Sequence, residues 1–136
     1  MNTQKVIKTS SKVFIGFSIF SVGYVSVLSM LNPVATMELV DTPLPNTDAI
    51  SSIRGIFGGV GIAITVSLIY LMFKDFKNGI SFLTLFWGAY AISRIITQLV
   101  DGPLGDFGNQ WLIIESTLFI LGCVLLFLNK KYGKVE

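Results

Sequence analysis

The sequence predicts an all-α fold, an integral membrane four-helix bundle with its N- and C-termini cytoplasmic. Three observations predict it: four long apolar runs, a composition of 52% apolar against 13% charged residues, and lysines confined to alternate hydrophilic segments. An ordinary soluble domain carries roughly a quarter charged residues and under half apolar ones. A mean hydropathy of +0.73 therefore points to lipid as the solvent. The 136 residues make a single transmembrane domain, 1–136.

The first helix is read over residues 13–31, a run without any charged side chain. Lys5, Lys8 and Lys12 ahead of it look like the basic start of a signal peptide. The run exceeds the usual length of about 7–15 residues for such a segment and no A-x-A site follows, so it is read as a span. The second helix covers 49–73 and holds one charge, Arg54; the third, 80–100, holds only Arg94; the fourth, 111–128, holds only Glu115. Crossing about 30 Å of hydrocarbon takes roughly 20 helical residues. In lipid only helices and closed barrels satisfy their own backbone groups.

The segments between the runs set the orientation. Lys5, Lys8 and Lys12 precede the first run, Lys74 and Lys77 separate the second from the third, and Lys130, Lys131 and Lys134 follow the fourth. The other two loops hold no Lys or Arg and carry Glu38, Asp41, Asp48, Asp101 and Asp106 instead. Basic segments stay in the cytoplasm, so both acidic loops face outward. The short connection over 74–79 makes the second and third helices antiparallel neighbours, and Asp101-Gly102-Pro103 stops the third. Thr47 or Asp48 is the expected N-cap of the second helix and Asn109 that of the fourth. Residues 34–40 are expected to lie along the outer surface, and Trp111 and Tyr132 to anchor at the interface.

Several chemistries are excluded by what the chain lacks. Without histidine there is no imidazole-held haem or zinc and no nucleophile activated by a His base. Cys123 is the one cysteine, which removes an internal disulfide, a CxxC pair and a thiolate cluster. At mid-span it reads as a small apolar residue. No metal, no cofactor and no nucleic-acid partner is expected.

The intramembrane charges carry the remaining information. With the outer loops placed, Arg54 lies about five residues, roughly 8 Å, inside the second run. Arg94 lies about six residues, roughly 9 Å, below the outer end of the third run, and Glu115 about four residues, roughly 6 Å, inside the fourth. Three helices thus bring their only charge to nearly one level. Helical phase puts Arg54 on a face with Gly58, Gly61 and Thr65, and Glu115 over Gly122 two turns deeper. A second stripe of small residues runs Ser51, Gly55, Gly59, Ala63, Ser67. Small residues let neighbouring backbones approach, so Gly55, Gly58, Gly59, Gly61 and Gly122 are read as helix-packing positions and the second helix as the centre of the packing. On the third helix Trp87, Tyr90, Arg94, Gln98 and Asp101 share a stripe. The candidate ligand-binding set is Arg54, Arg94 and Glu115, with Gln98, Tyr90, Asp101 and Ser51 around them.

Two guanidiniums against one carboxylate leave one positive charge, to be met by Asp101, by water or by an anion from outside. An arginine fork suits carboxylate or phosphate. The expected function is an outer-leaflet polar site for an anionic small molecule, a lipid headgroup or a partner segment. In the alternative, a structural or accessory subunit, the charges only brace the bundle or reach up to the headgroups. A membrane-embedded enzyme is a third reading. The partners expected are the lipid bilayer, an anionic ligand or headgroup, and a second copy or another membrane protein.

Three local patterns resemble a known family: Arg54 followed by Gly58-Gly59, Arg94 seven residues ahead of Asp101-Gly102, and Glu115 early in the last helix. With four spans and this length, the chain is similar to the small bacterial four-span membrane proteins catalogued as domain of unknown function 4345, from the first helix to the fourth. The resemblance implies a four-helix, multi-pass protein of the bacterial inner (cytoplasmic) membrane and implies no activity. Small multidrug exporters, which use an acidic residue in the first helix, fit less well, as do disulfide-generating membrane enzymes, which require cysteine pairs.

Overall fold

The computed structural model describes residues 3–132, and four of its helices are long and apolar enough to cross a membrane. Lys134, counted above with the C-terminal lysines, lies outside the described residues. The first span is α1, Thr3–Leu31, and a short α2, Pro33–Glu38, follows it. The second span is made of α3 (Thr47–Ile53), a π-helical segment (Arg54–Val60) and α4 (Gly61–Lys74) in unbroken succession. The third and fourth spans are α5 (Phe76–Val100) and α6 (Asp106–Tyr132). There is no strand among the described residues.

Each helix reaches beyond its apolar run, because backbone hydrogen bonding continues through polar ends where lysine is a good helix former. α1 stops at Leu31 since Pro33 has no N–H to donate and disfavours helical backbone at Asn32. Pro33 then occupies the first turn of α2, with the Asn32 side chain accepting from the Ala35 amide at 3.1 Å. The stretch expected along the outer surface is therefore partly helical. The cap of α3 is Asn46, whose side chain accepts from the Ala49 amide at 2.8 Å, rather than Thr47 or Asp48. Asn46 has the extended backbone a cap needs, whereas the two residues after it are already helical.

A single residue, Asp75, separates α4 from α5; its carboxylate accepts from the Asn78 amide at 3.2 Å and from Asn78 Nδ2 at 2.7 Å. At the other end of α5 the Asp101 amide donates to the Thr97 carbonyl at 2.8 Å. Gly102, at φ +111°, then reverses the chain in the left-handed region that glycine tolerates. α6 begins at Asp106, five residues before the apolar run, so Asn109 stands inside its first turns and not at its cap.

The described residues form two packed units, 3–15 with 74–132 and 16–73. In the first, Ile80, Leu83, Trp87 and Ala91 of α5, Leu118 and Leu125 of α6, and Ile7, Phe14 and Ile15 of α1 are buried. Glycines let α5 and α6 close on each other. A Cβ at Gly88 would stand 2.8 Å from the Phe119 ring, and one at Gly122 would meet the Thr84 hydroxyl, with Thr84 Cβ at 3.1 Å. At one end, Asn129 Nδ2 donates to Ser11 Oγ at 3.0 Å and to the Leu125 carbonyl at 2.8 Å. Gln4 Nε2 donates to the Tyr132 carbonyl at 3.0 Å.

In the second unit, Ser26 and Ser29 of α1 are buried, each hydroxyl donating to the carbonyl four residues back. Ser29 and Thr36 are joined at 3.0 Å, which ties α2 back onto α1. The most buried span is α5 and not the glycine-rich second span.

Candidate functional site

Arg94 of α5 and Glu115 of α6 meet in a two-pronged ion pair. Nε donates to Oε2 at 2.6 Å and Nη2 to Oε1 at 2.9 Å. Glu115 is 2% exposed and the Arg94 side chain 22%. The meeting depends on the small residues below it. Gly122 lies two turns beneath Glu115 and admits Thr84, and Gly88 admits Phe119, so the helix axes come close enough for the side chains to overlap. Tyr90, one turn before Arg94, packs edge-on to Phe86 at 5.1 Å and tilted to Trp87 at 6.4 Å. The pair therefore stands above an aromatic layer on α5.

Electrically the pair is closed. A buried carboxylate holding a guanidinium through two parallel bonds offsets the cost each charge would carry alone in an apolar span. Arginine offers five N–H donors; two go to Glu115 and three remain on the partly exposed side. One turn further on, Gln98 Nε2 donates to Asn109 Oδ1 at 3.2 Å, and Asn109 Nδ2 donates to the Leu104 carbonyl at 2.8 Å. Gln98 is thus part of a polar seam between α5 and α6. Asp101 contributes its amide to the end of α5, and among the described residues no arginine or lysine pairs with its carboxylate.

Arg54 belongs to the other unit and opens the π-helical segment. Its Nε donates to the Met30 carbonyl at 3.0 Å. Met30 lies in the last turn of α1, where carbonyls have no intrahelical partner and the helix dipole favours a cation. Arg54 thus caps α1. It is exposed, and no carboxylate lies within salt-bridge reach of it among the described residues.

The face shared by Arg54, Gly58, Gly61 and Thr65 descends along α1. A Cβ at Gly58 would stand 3.1 Å from Met30 Cα and N, and one at Gly61 would meet Ser26, with its Cβ at 2.9 Å. Thr65 Cγ2 would be 3.3 Å from a Cβ at Gly23. At Gly55 and Gly59, also read from the sequence as packing positions, nothing lies within 4 Å of where their Cβ atoms would be. Gly55 and Gly59 each follow the packed residues Arg54 and Gly58 by one position, about 100° round the helix, and so stand off the face that meets α1.

Two features escaped the sequence reading. The π segment carries no pattern beyond its three glycines, Gly55, Gly58 and Gly59. The buried polar positions of α1 were visible in principle, for Ser11, Ser18, Ser26 and Ser29 recur at helical spacing and all four are buried. Between α5 and α6 runs an open groove of about 360 Å³, lined by Leu85, Gly88, Ala89, Ile92, Ser93, Ile96 and Phe119. It is apolar and includes neither Arg94 nor Glu115.

No curated protein and no solved structure matches the chain. The family described as Domain of unknown function (DUF4345) does: its model matches residues 10–126, from the first span to the fourth, and the chain belongs to that family.

Proposed function

We propose that this multi-pass membrane protein binds an anionic group, of a lipid headgroup or a small molecule, through Arg54, while Arg94 and Glu115 brace α5 against α6. The observation that carries the reading is the state of Arg54: its Nε is engaged by a neutral carbonyl and no carboxylate balances its charge among the described residues. An arginine at the centre of a spanning helix costs about 2.5–3.5 kcal/mol, less towards the interface. An anion held by the remaining N–H groups would offset that cost. Arg94 keeps three N–H groups for a similar contact, weakened by the neutrality of its pair with Glu115. The lysine distribution supports the accompanying orientation, with both termini in the cytoplasm of a bacterial inner membrane and Arg54 towards the outside.

The experiment uses the full chain in nanodiscs of mixed phosphatidylcholine and phosphatidylglycerol, with native mass spectrometry of the released protein. Wild type is expected to carry phosphatidylglycerol adducts and Arg54→Gln to lose them while keeping its helix content. Equal adducts in both, with Arg54→Gln merely less stable to heat, overturns the proposal in favour of a purely structural cap.

A further inference from the structure

We infer that the ligand of Arg54 is the phosphate of an anionic phospholipid, whose charge no choline ammonium balances, taken end-on by Nη1 and Nη2, and that the π-helical segment aims the guanidinium through the contact of Gly58 with Met30. The inference rests on the anion-binding reading above and specifies its ligand and its positioning residue.

The segment Arg54–Val60 is unusual on physical grounds. Well under 1% of residues are π-helical, and π turns within α-helices occur frequently at functional sites. Seven consecutive residues adopt it here, three of them glycines, which are poor in any helix interior. Local preference does not favour such a stretch, so packing must hold it. Both ends of its first turn reach one residue. Arg54 grips the Met30 carbonyl at 3.0 Å, and Gly58 lets the Met30 backbone come so close that a Cβ would stand 3.1 Å from its Cα and N. A π turn takes about one residue more than an α turn, so these seven residues wind through less rotation.

Tethering by Nε decides what the guanidinium can bind. Of its five N–H groups one is spent on the carbonyl, and the two terminal nitrogens remain as a planar fork whose rotation is already restricted. Such a fork matches two oxygens of one phosphate, and its pre-organisation lowers the entropy cost of binding. The surroundings favour a lipid over a free anion. Arg54 is seven residues into the span that begins at Thr47, about 10 Å along the helix, a depth from which arginine reaches headgroups. Open space stands at Gly55 and Gly59, and Ile56 and Val60 expose apolar surface beside it for acyl chains.

The test compares wild type with Gly58→Ala, Gly59→Ala, Arg54→Lys and Arg54→Gln, in phosphatidylcholine nanodiscs with and without phosphatidylglycerol. Retained lipid is read by native mass spectrometry and helix content by circular dichroism. Gly59→Ala should retain phosphatidylglycerol as wild type does. Gly58→Ala should retain about tenfold less with Arg54 intact, the size of a lost charge-assisted hydrogen bond. Arg54→Lys keeps the charge but loses fork and tether, and should fall by a similar factor. It also serves as the decisive variant if Gly58→Ala does not fold. Loss in Arg54→Gln but full retention in both Gly58→Ala and Arg54→Lys overturns the positioning inference and leaves the anion reading standing. Retention in Arg54→Gln overturns both. Inorganic phosphate protecting wild type against thermal unfolding in pure phosphatidylcholine as strongly as phosphatidylglycerol does overturns the lipid assignment.

Discussion

Arg94 and Glu115 are bound by two parallel hydrogen bonds, and the burial is one-sided: the carboxylate is enclosed at 2% exposure while the guanidinium keeps 22%. The acid therefore depends on the base more than the base depends on the acid. Removing the arginine strands a charge with no access to water, whereas removing the acid leaves a cation that can turn outward.

That asymmetry sets the order of effects. Arg94→Gln is expected to destabilise by about 3 kcal/mol, the scale for breaking a buried pair from one side. Glu115→Gln should cost less, and the double replacement Arg94→Met with Glu115→Leu should recover most of the loss. Thermal unfolding in detergent, followed by circular dichroism, measures all three. A double variant as unstable as Arg94→Gln contradicts the account.

Glycines on the packed face and on the open face of the second span should respond oppositely to one methyl group. Gly61→Ala pushes a Cβ into Ser26 and should cost about 1–3 kcal/mol, as overpacking does. Gly55→Ala meets nothing and should be neutral or stabilising by up to about 1 kcal/mol. Chemical unfolding midpoints of the two variants decide it, and equal shifts would falsify the assignment of faces.

Gly122 and Gly88 provide a second comparison, between α5 and α6. A methyl group at Gly122 meets Thr84, whose Cα is 3.3 Å from the added atom, so backbone must yield. At Gly88 it meets only the Phe119 ring, which can rotate away. Gly122→Ala should be the more costly of the two. Adding Thr84→Ala should rescue it in part, because the hydroxyl is removed but the backbone stays; an additive double-mutant cycle would show that the contact is not made.

Asn129 and Ser11 join α6 to the start of α1. Asn129→Ala should cost about 1 kcal/mol, the usual size of a hydrogen bond between membrane helices. Ser11→Ala should cost little more in that background than nothing, since the bond has already gone. Unfolding of the four members of the cycle measures the coupling.

Orientation can be tested because Cys123 is the only cysteine. In a Cys123→Ala background, an impermeant maleimide on intact cells is expected to label Asp41→Cys, while Lys131→Cys reacts only after lysis. Labelling of Lys131→Cys in intact cells reverses the proposed topology.

The sequence by itself determined the four spans and their order, because hydrocarbon thickness and the need to satisfy backbone groups in lipid act on composition and length alone. It also marked Arg54, Arg94 and Glu115, since a charge inside an apolar run stands out without any knowledge of its neighbours. Only the tertiary structure decided which partner each charge has. Glu115 goes to Arg94 because Gly88 and Gly122 let two particular helices close, and Arg54 goes to the Met30 carbonyl because Pro33 ends α1 within its reach. The π segment was also decided there. Helical phase extrapolated from sequence assumes one residue spacing throughout, and a local change in winding is a compromise with packing that the chain does not announce.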